Sequence, residues 1–315
     1  MVPVSFTRVA LLTIRGNQSV VFRGMQSYQQ EASHQLQAAQ SVLAPELSLY
    51  KEREVREMLA SNPGGKVTLQ KDDETGIATV VFDNREKKNA LTGTMMLELS
   101  DCVCQLHEWP KARGVVLTGA GGEFCTGGDF AFVRKIADPV SGAKMSIFMQ
   151  TVLAKFHRLP LISVAHVQGH AYGGGAELAT ACDFRLLDRN AKIGFVQARL
   201  GVLTGWGGGT HLTRLIGPRQ ALWMLASGVV LGASDALKIG LADGVVNCEE
   251  DVQNWWQQFG QSSRNSIQAA KKVVLNAEDC QYAESLNRER DIFTGLWGGP
   301  DHQKALEQII VRAKK

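Results

Sequence analysis

The chain has 315 residues, 44% hydrophobic and 21% charged, with a formal net charge of +3, ordinary for a globular protein with a substantial core. Residues 1–30 hold Arg8, Arg15 and Arg23 and no acid; without those three, the 34 basic residues fall level with the 31 acidic ones, leaving no basic footprint for a nucleic-acid partner. No apolar run approaches the roughly 18 residues that span a bilayer, so no membrane partner is expected, and six cysteines without C-x-x-C spacing predict a reducing compartment.

In chain order, residues 1–45 are polar, rich in Gln, Ser and Ala, and read as an extension outside the folded core. Their acid-free start, with Ser5, Thr7, Thr13, Ser19 and Ser27 among apolar residues, has the composition of a mitochondrial transit peptide; the alternative is an untargeted extension. Residues 46–59 read as a charged helix that Asn62-Pro63-Gly64-Gly65 ends. Strands near 66–70, 76–82, 113–119, 161–167 and 183–187 then alternate with helical patterns near 92–107, 142–158 and 174–182. That alternation predicts an α/β core over residues 46–217, with parallel sheet layers under helices. Residues 218–315 form a helical region, with segments predicted at 218–227, 233–240, 251–260, 263–277, 280–293 and 301–313.

Two glycine-rich turns about 46 residues apart carry the chemistry. Gly114-Val115-Val116-Leu117-Thr118 leads towards Phe124-Cys125-Thr126-Gly127-Gly128-Asp129-Phe130, and Leu161-Ile162-Ser163-Val164-Ala165 leads into Gly169-His170-Ala171-Tyr172-Gly173-Gly174-Gly175-Ala176-Glu177-Leu178. Each reads as a strand that turns sharply and opens a helix, and residues without a Cβ let a ligand reach the exposed main-chain N–H groups. Two such turns facing one cavity would hold an oxyanion, whereas a glycine pair alone is an ordinary tight turn. Neither turn fits G-x-G-x-x-G or G-x-x-x-x-G-K-[ST], which sets dinucleotide and P-loop readings aside.

Over about residues 66–300 the ordered motifs resemble the crotonase (enoyl-CoA hydratase/isomerase) family. They comprise Lys88-Asn89-Ala90-Leu91, the two turns, Ala181-Cys182-Asp183-Phe184-Arg185, and Leu200-Gly201-Val202 leading into Gly205-Trp206-Gly207-Gly208. The resemblance implies a spiral of β-β-α units with a helical C-terminal region, homotrimers that often pair into hexamers, and an acyl-CoA substrate. It further implies that the N–H groups of Gly128 and Gly174 bind the thioester oxygen, with Gly127 and Gly173 beside them. Lys88, Asn89 and Ala90 match the segment that binds the adenosine end of CoA, although Lys88 alone reads equally well as a solvated charge. Phe293 and Lys304 lie where C-terminal helices of the family approach CoA from a neighbouring subunit.

Glu177 matches the first of two glutamates with which the family's hydratases position and split water, and Gln197 stands in place of the second. An amide cannot exchange a proton as a carboxyl group does, so hydration and double-bond isomerisation are not expected. The family's next-loop proline is also replaced, by Thr204. Decarboxylation of a malonyl-type thioester needs an oxyanion hole, one acid, no metal and no organic cofactor. Arg158-Leu159-Pro160-Leu161, the Gly-Gly-Gly-Ala-Glu turn and Leu296-Trp297-Gly298-Gly299-Pro300 resemble family members that decarboxylate ethylmalonyl-CoA and methylmalonyl-CoA, a cytosolic metabolite-repair activity. On that reading Gly128, Gly174 and Glu177 are catalytic. Glu177 would lie in an apolar pocket with a raised pKa, because an ionised carboxylate would repel the substrate's own. A hydratase of altered mechanism and a non-catalytic crotonase-fold scaffold are the alternatives. Cys125 reads as a small buried thiol; His166 and His170 flank the second turn without a metal-ligand pattern, and His170 either holds a hydrogen-bonded structural place or lines the pocket; Tyr172 and Trp206 either shape the acyl pocket or fill space.

Overall fold

Ile77–Asp83 alternates buried and half-buried side chains, as a strand with one covered face must, whereas Gly114–Gly119 is buried along nearly its whole length and needs cover on both faces. The computed structural model describes residues 51–313; the extension expected at 1–45 and the start of the 46–59 helix lie outside them. The strands are β1 (Lys66–Asp72), β2 (Ile77–Asp83), β3 (Gly114–Gly119), β4 (Ile162–Val167), β5 (His170–Tyr172), β6 (Phe184–Asp188), β7 (Lys192–Gly194), β8 (Val230–Gly232) and β9 (Gly244–Val246). Six of them form a sheet in the order β1-β2-β3-β4-β6-β9, and β5-β7-β8 form a second sheet.

The expectation of parallel layers holds for β2, β3, β4, β6 and β9 but fails at two strand pairs. Strand β1 pairs antiparallel with β2, and β7 with β8. The β1–β2 connection is too short for a crossover, so the chain can only fold back on itself. Strands β5, β7 and β8, with three residues each, are too short for a period-two pattern to register.

Helices α1 (Glu52–Ala60), α2 (Gly93–Glu108), α3 (Phe130–Lys135), α4 (Pro139–His157) and α5 (Gly174–Thr180) accompany the spiral core. They are followed by α6 (Gly208–Ser227), α7 (Ala233–Lys238), α8 (Glu249–Trp256), α9 (Arg264–Asp279), α10 (Tyr282–Leu296) and α11 (Pro300–Ala313). The segment expected at 218–227 is the second half of α6, which bends at Gly217 (φ +78°) and restarts at Pro218. Proline fixes φ and lacks an N–H, so it suits the first position after such a break. Val116, Val164, Leu186 and Val246 of the large sheet pack with Val252 and Trp256 of α8 to form a core cluster.

Candidate active site

The loops after β3 and β4 are sewn together before either reaches its glycines. Cys125 N–H donates to His170 O and Tyr172 N–H donates to Cys125 O, both at 3.0 Å, as a short parallel bridge. A Cβ built on Gly127 would lie 3.0 Å from Gly174 N and 3.1 Å from Tyr172 O, so the two turns touch main chain to main chain. A Cβ on Gly175 would overlap the Cys125 carbonyl, and one on Gly174 would overlap the Trp206 ring. Gly127 (φ +96°) and Gly173 (φ +54°) also occupy backbone conformations that side chains disfavour. Glycine is thus required here for approach and for conformation.

The flanks of each turn are pinned. Leu91 N–H donates to Gly127 O at 2.7 Å and Asp129 N–H donates to Leu91 O at 2.8 Å, while Gly173 N–H donates to Gly194 O at 3.0 Å. Among the described residues, the N–H groups of Gly128 and Gly174 have no protein acceptor. Two unspent donors on touching turns are what an oxyanion site requires.

Glu177 lies on α5, whose seven residues are all buried, and is itself 2% exposed. Its Oε2 accepts from Trp206 N–H at 2.8 Å and Gly208 N–H at 2.9 Å; its Oε1 accepts from Gln197 Nε2 at 2.9 Å and Gly205 N–H at 3.3 Å. Burial raises the Glu177 pKa, and the three backbone donors and Gln197 oppose it without cancelling it. Gly208 packs so closely on Glu177 that a Cβ there would overlap the Glu177 side chain. The Trp206 indole seats over Gly174 and donates to Met145 Sδ at 3.0 Å, so Trp206 joins the acid to the second turn.

Other sequence-marked residues sort by what they touch. Asn89 is fully buried and spends its side chain on the loop: Oδ1 accepts from Asn84 N–H, and Nδ2 donates to the carbonyls of Ala120 and Glu123. Ala90 is buried with its N–H and carbonyl both engaged. From that loop Lys88 (φ +50°) extends an ammonium to 3.4 Å from Glu123 Oε1. Glu123 Oε2 accepts from the backbone N–H of His170 and lies 2.6 Å from its Nδ1, which gives His170 its structural partner. The His166 ring meets Asp188 at 2.9 Å. Cys125 is buried and burial pushes its thiol up to about 12, which leaves no thiolate at neutral pH. Phe293 is exposed on α10 against Trp297, with ring centres 5.1 Å apart. A cavity of about 790 Å³ opens elsewhere, between β2, β3, β4 and α8, and none of the glycine-turn residues lines it.

The signals that sequence reasoning missed are the backbone donors of Gly205, Trp206 and Gly208. They were visible as a glycine-rich stretch, but nothing local says that it closes on Glu177.

A spiral α/β core carrying two free glycine amides beside a buried acid defines the crotonase class of acyl-CoA enzymes. The chain belongs to the enoyl-CoA hydratase/isomerase family, whose model matches residues 72–310. It is 41% identical over 263 residues to an ethylmalonyl-CoA decarboxylase of Rattus norvegicus, covering 82% of this chain and 88% of that protein. An ethylmalonyl-CoA decarboxylase of Danio rerio is 43% identical over 260 residues, covering 80% and 86%. Among solved structures, an enoyl-CoA hydratase from Bacillus anthracis superposes with a TM-score of 0.74 at 25% identity, covering 78% of this chain and 96% of that one.

Proposed function

We propose that this chain decarboxylates a malonyl-type acyl-CoA, with ethylmalonyl-CoA and methylmalonyl-CoA as substrates. The observation that carries the reading is the Glu177–Gln197 pair: one buried carboxyl group, held by an amide where a hydratase would need a second acid. Curated relatives named ethylmalonyl-CoA decarboxylase, at about 41% identity over most of the chain, support it.

In the reaction the bond between the α-carbon and the carboxylate breaks, CO₂ leaves, and the electron pair passes into the thioester as an enolate. Gly128 and Gly174 N–H receive the charge on the thioester oxygen, and one such donor is worth about 3–4 kcal/mol of transition-state stabilisation. A proton from Glu177 then forms the new C–H bond, and Glu177 regains its proton from water. A raised pKa serves both ends of this cycle: a neutral Glu177 does not repel the substrate carboxylate, and it has a proton to give. The electrons stay within substrate and solvent, so the steps call on no metal or organic cofactor.

The active assembly in this reading is a homotrimer, or a hexamer made of two such trimers, supported by exposed apolar side chains on α10 and α11. Six free cysteines support a reducing compartment, for which we propose the cytosol. The recombinant chain, offered ethylmalonyl-CoA, should release CO₂, and offered crotonyl-CoA should leave its conjugated thioester absorbance unchanged. Hydration without CO₂ release would make it a hydratase, and inertness towards both would make it a scaffold.

A further inference from the structure

Gln197 uses one half of its amide and leaves the other idle. Its Nε2 donates to Glu177, whereas its Oε1 is buried and finds no donor among the described residues. A buried acceptor left without a partner costs stability in this state, and its use in another state of the site would account for it.

The two oxygens of Glu177 are also unequal. Oε2 sits between the N–H groups of Trp206 and Gly208, which belong to the main chain and cannot turn away. Oε1 has the longest of the four bonds, 3.3 Å from Gly205 N, and the one donor carried on a side chain, Gln197. A proton on this carboxyl group therefore belongs on Oε1. We propose that Gln197 is a positioning residue for proton transfer: a half turn of its amide presents Oε1 to Glu177 and holds the proton that Glu177 later delivers to the enolate. The role rests on the decarboxylase reading above. When the enolate forms, its electron pair makes the α-carbon C–H bond and the Glu177 O–H bond breaks. The amide turns back, and Nε2 meets the carboxylate left behind. The half turn exchanges an oxygen and an NH₂ of nearly equal size, and a Cβ on Gly173 would lie at ordinary contact distance, 3.8 Å, from Gln197 Cδ.

Other titrating groups around α5 do not account for the proton. The elements packed against it carry His211, Arg214 and Arg219 on α6, His170 and Tyr172 on β5, His166 on β4, and Arg185 and Asp188 on β6, with Arg199 in the turn after Gln197. No charged side chain is among the causes of the Glu177 shift. Burial, with help from His157, Arg214 and Arg185, brings His211 down to about 4, so it is neutral at working pH.

The test is the pH profile of kcat for CO₂ release in wild type, Gln197→Leu and Gln197→Met. If Gln197 accepts the Glu177 proton in the working complex, removing the acceptor moves the alkaline limb to lower pH by about one unit, because a hydrogen bond to the neutral form has been lost. At pH 8, kcat should fall by about tenfold or more while KM stays within about threefold. If Gln197 only donates to the carboxylate, its loss moves the limb to higher pH. A limb that moves up or stays in place in an active enzyme overturns the proposal, and Gln197→Met, of equal length, decides should Gln197→Leu fail to fold. A wild type that releases no CO₂ sinks the parent reading and this role together.

Discussion

Glu177 is a carboxylate that the protein has dried and then re-solvated with its own donors. Replacing it by glutamine is nearly isosteric yet cannot be neutral. Whichever way the new amide points, its NH₂ faces either the N–H groups of Trp206 and Gly208 or those of Gly205 and Gln197. Glu177→Gln should therefore lower stability by about 1–3 kcal/mol in chemical denaturation and lower the rate of CO₂ release by about 100-fold or more. Unchanged turnover would remove Glu177 from the chemistry. Its pKa also fixes the sign of a pH effect. The native value lies above the ordinary 4.5, so the folded state binds the proton more tightly than the unfolded chain does. The resulting stability is complete below about 4.5 and is lost as pH rises through the native value, a slope that Glu177→Gln should lack in denaturant titrations at stepped pH. At this scale the sequence discloses Glu177 and Gln197, because a motif places them. It does not disclose that Asn89 is a loop clamp, because a polar residue beside a lysine reads the same whether it faces a ligand or the interior.

At the scale of elements, the site depends on two turns held at main-chain contact, and one methyl group between them tests that. Gly127→Ala combines a positive φ with a Cβ 3.0 Å from Gly174 N, so it strains the backbone and wedges the two donors apart. Gly240→Ala is the control: φ is +78° and a Cβ there meets nothing within 4 Å. Both should lose roughly 1–2 kcal/mol of stability, the ordinary cost of a left-handed non-glycine residue. Only Gly127→Ala should also lose about 100-fold in kcat, as misplacement of catalytic groups by about 1 Å does. Equal kcat in the two variants would mean that the spacing of the turns is not catalytic. The long elements were legible because β3 and β4 are continuous β-branched apolar runs and α2 and α4 last for several helical turns. Helix α3 is the helix expected to open after the first turn; its extent was not legible, because six residues make under two turns, and its start is fixed by Asp129 accepting from Phe132 N–H at 3.0 Å.

For the whole molecule, the C-terminal helices leave an unmatched surface. Helix α10 has no buried residue over its length, yet Tyr282, Leu286, Phe293 and, one residue past its end, Trp297 recur at helical spacing along one side. Trp297 is 66% exposed and Tyr282 80%, and Leu306 and Ile309 of α11 are exposed as well. An amphipathic helix takes its stability from burying its apolar face, so a row this long calls for a partner surface. A second copy of the chain supplies one if the protein is a closed ring, in which each subunit covers the next. Light scattering on the eluting protein should give three chain masses or six. Phe293→Glu combined with Trp297→Glu should give single chains, with CO₂ release lost in proportion if the neighbour also completes the CoA site. A double variant that keeps its assembly would put the contact on another face and leave Phe293 with no part in assembly. The row itself was written in the sequence as spacing. Its partner was not, because no local pattern distinguishes a face covered within the chain from one covered by the next subunit.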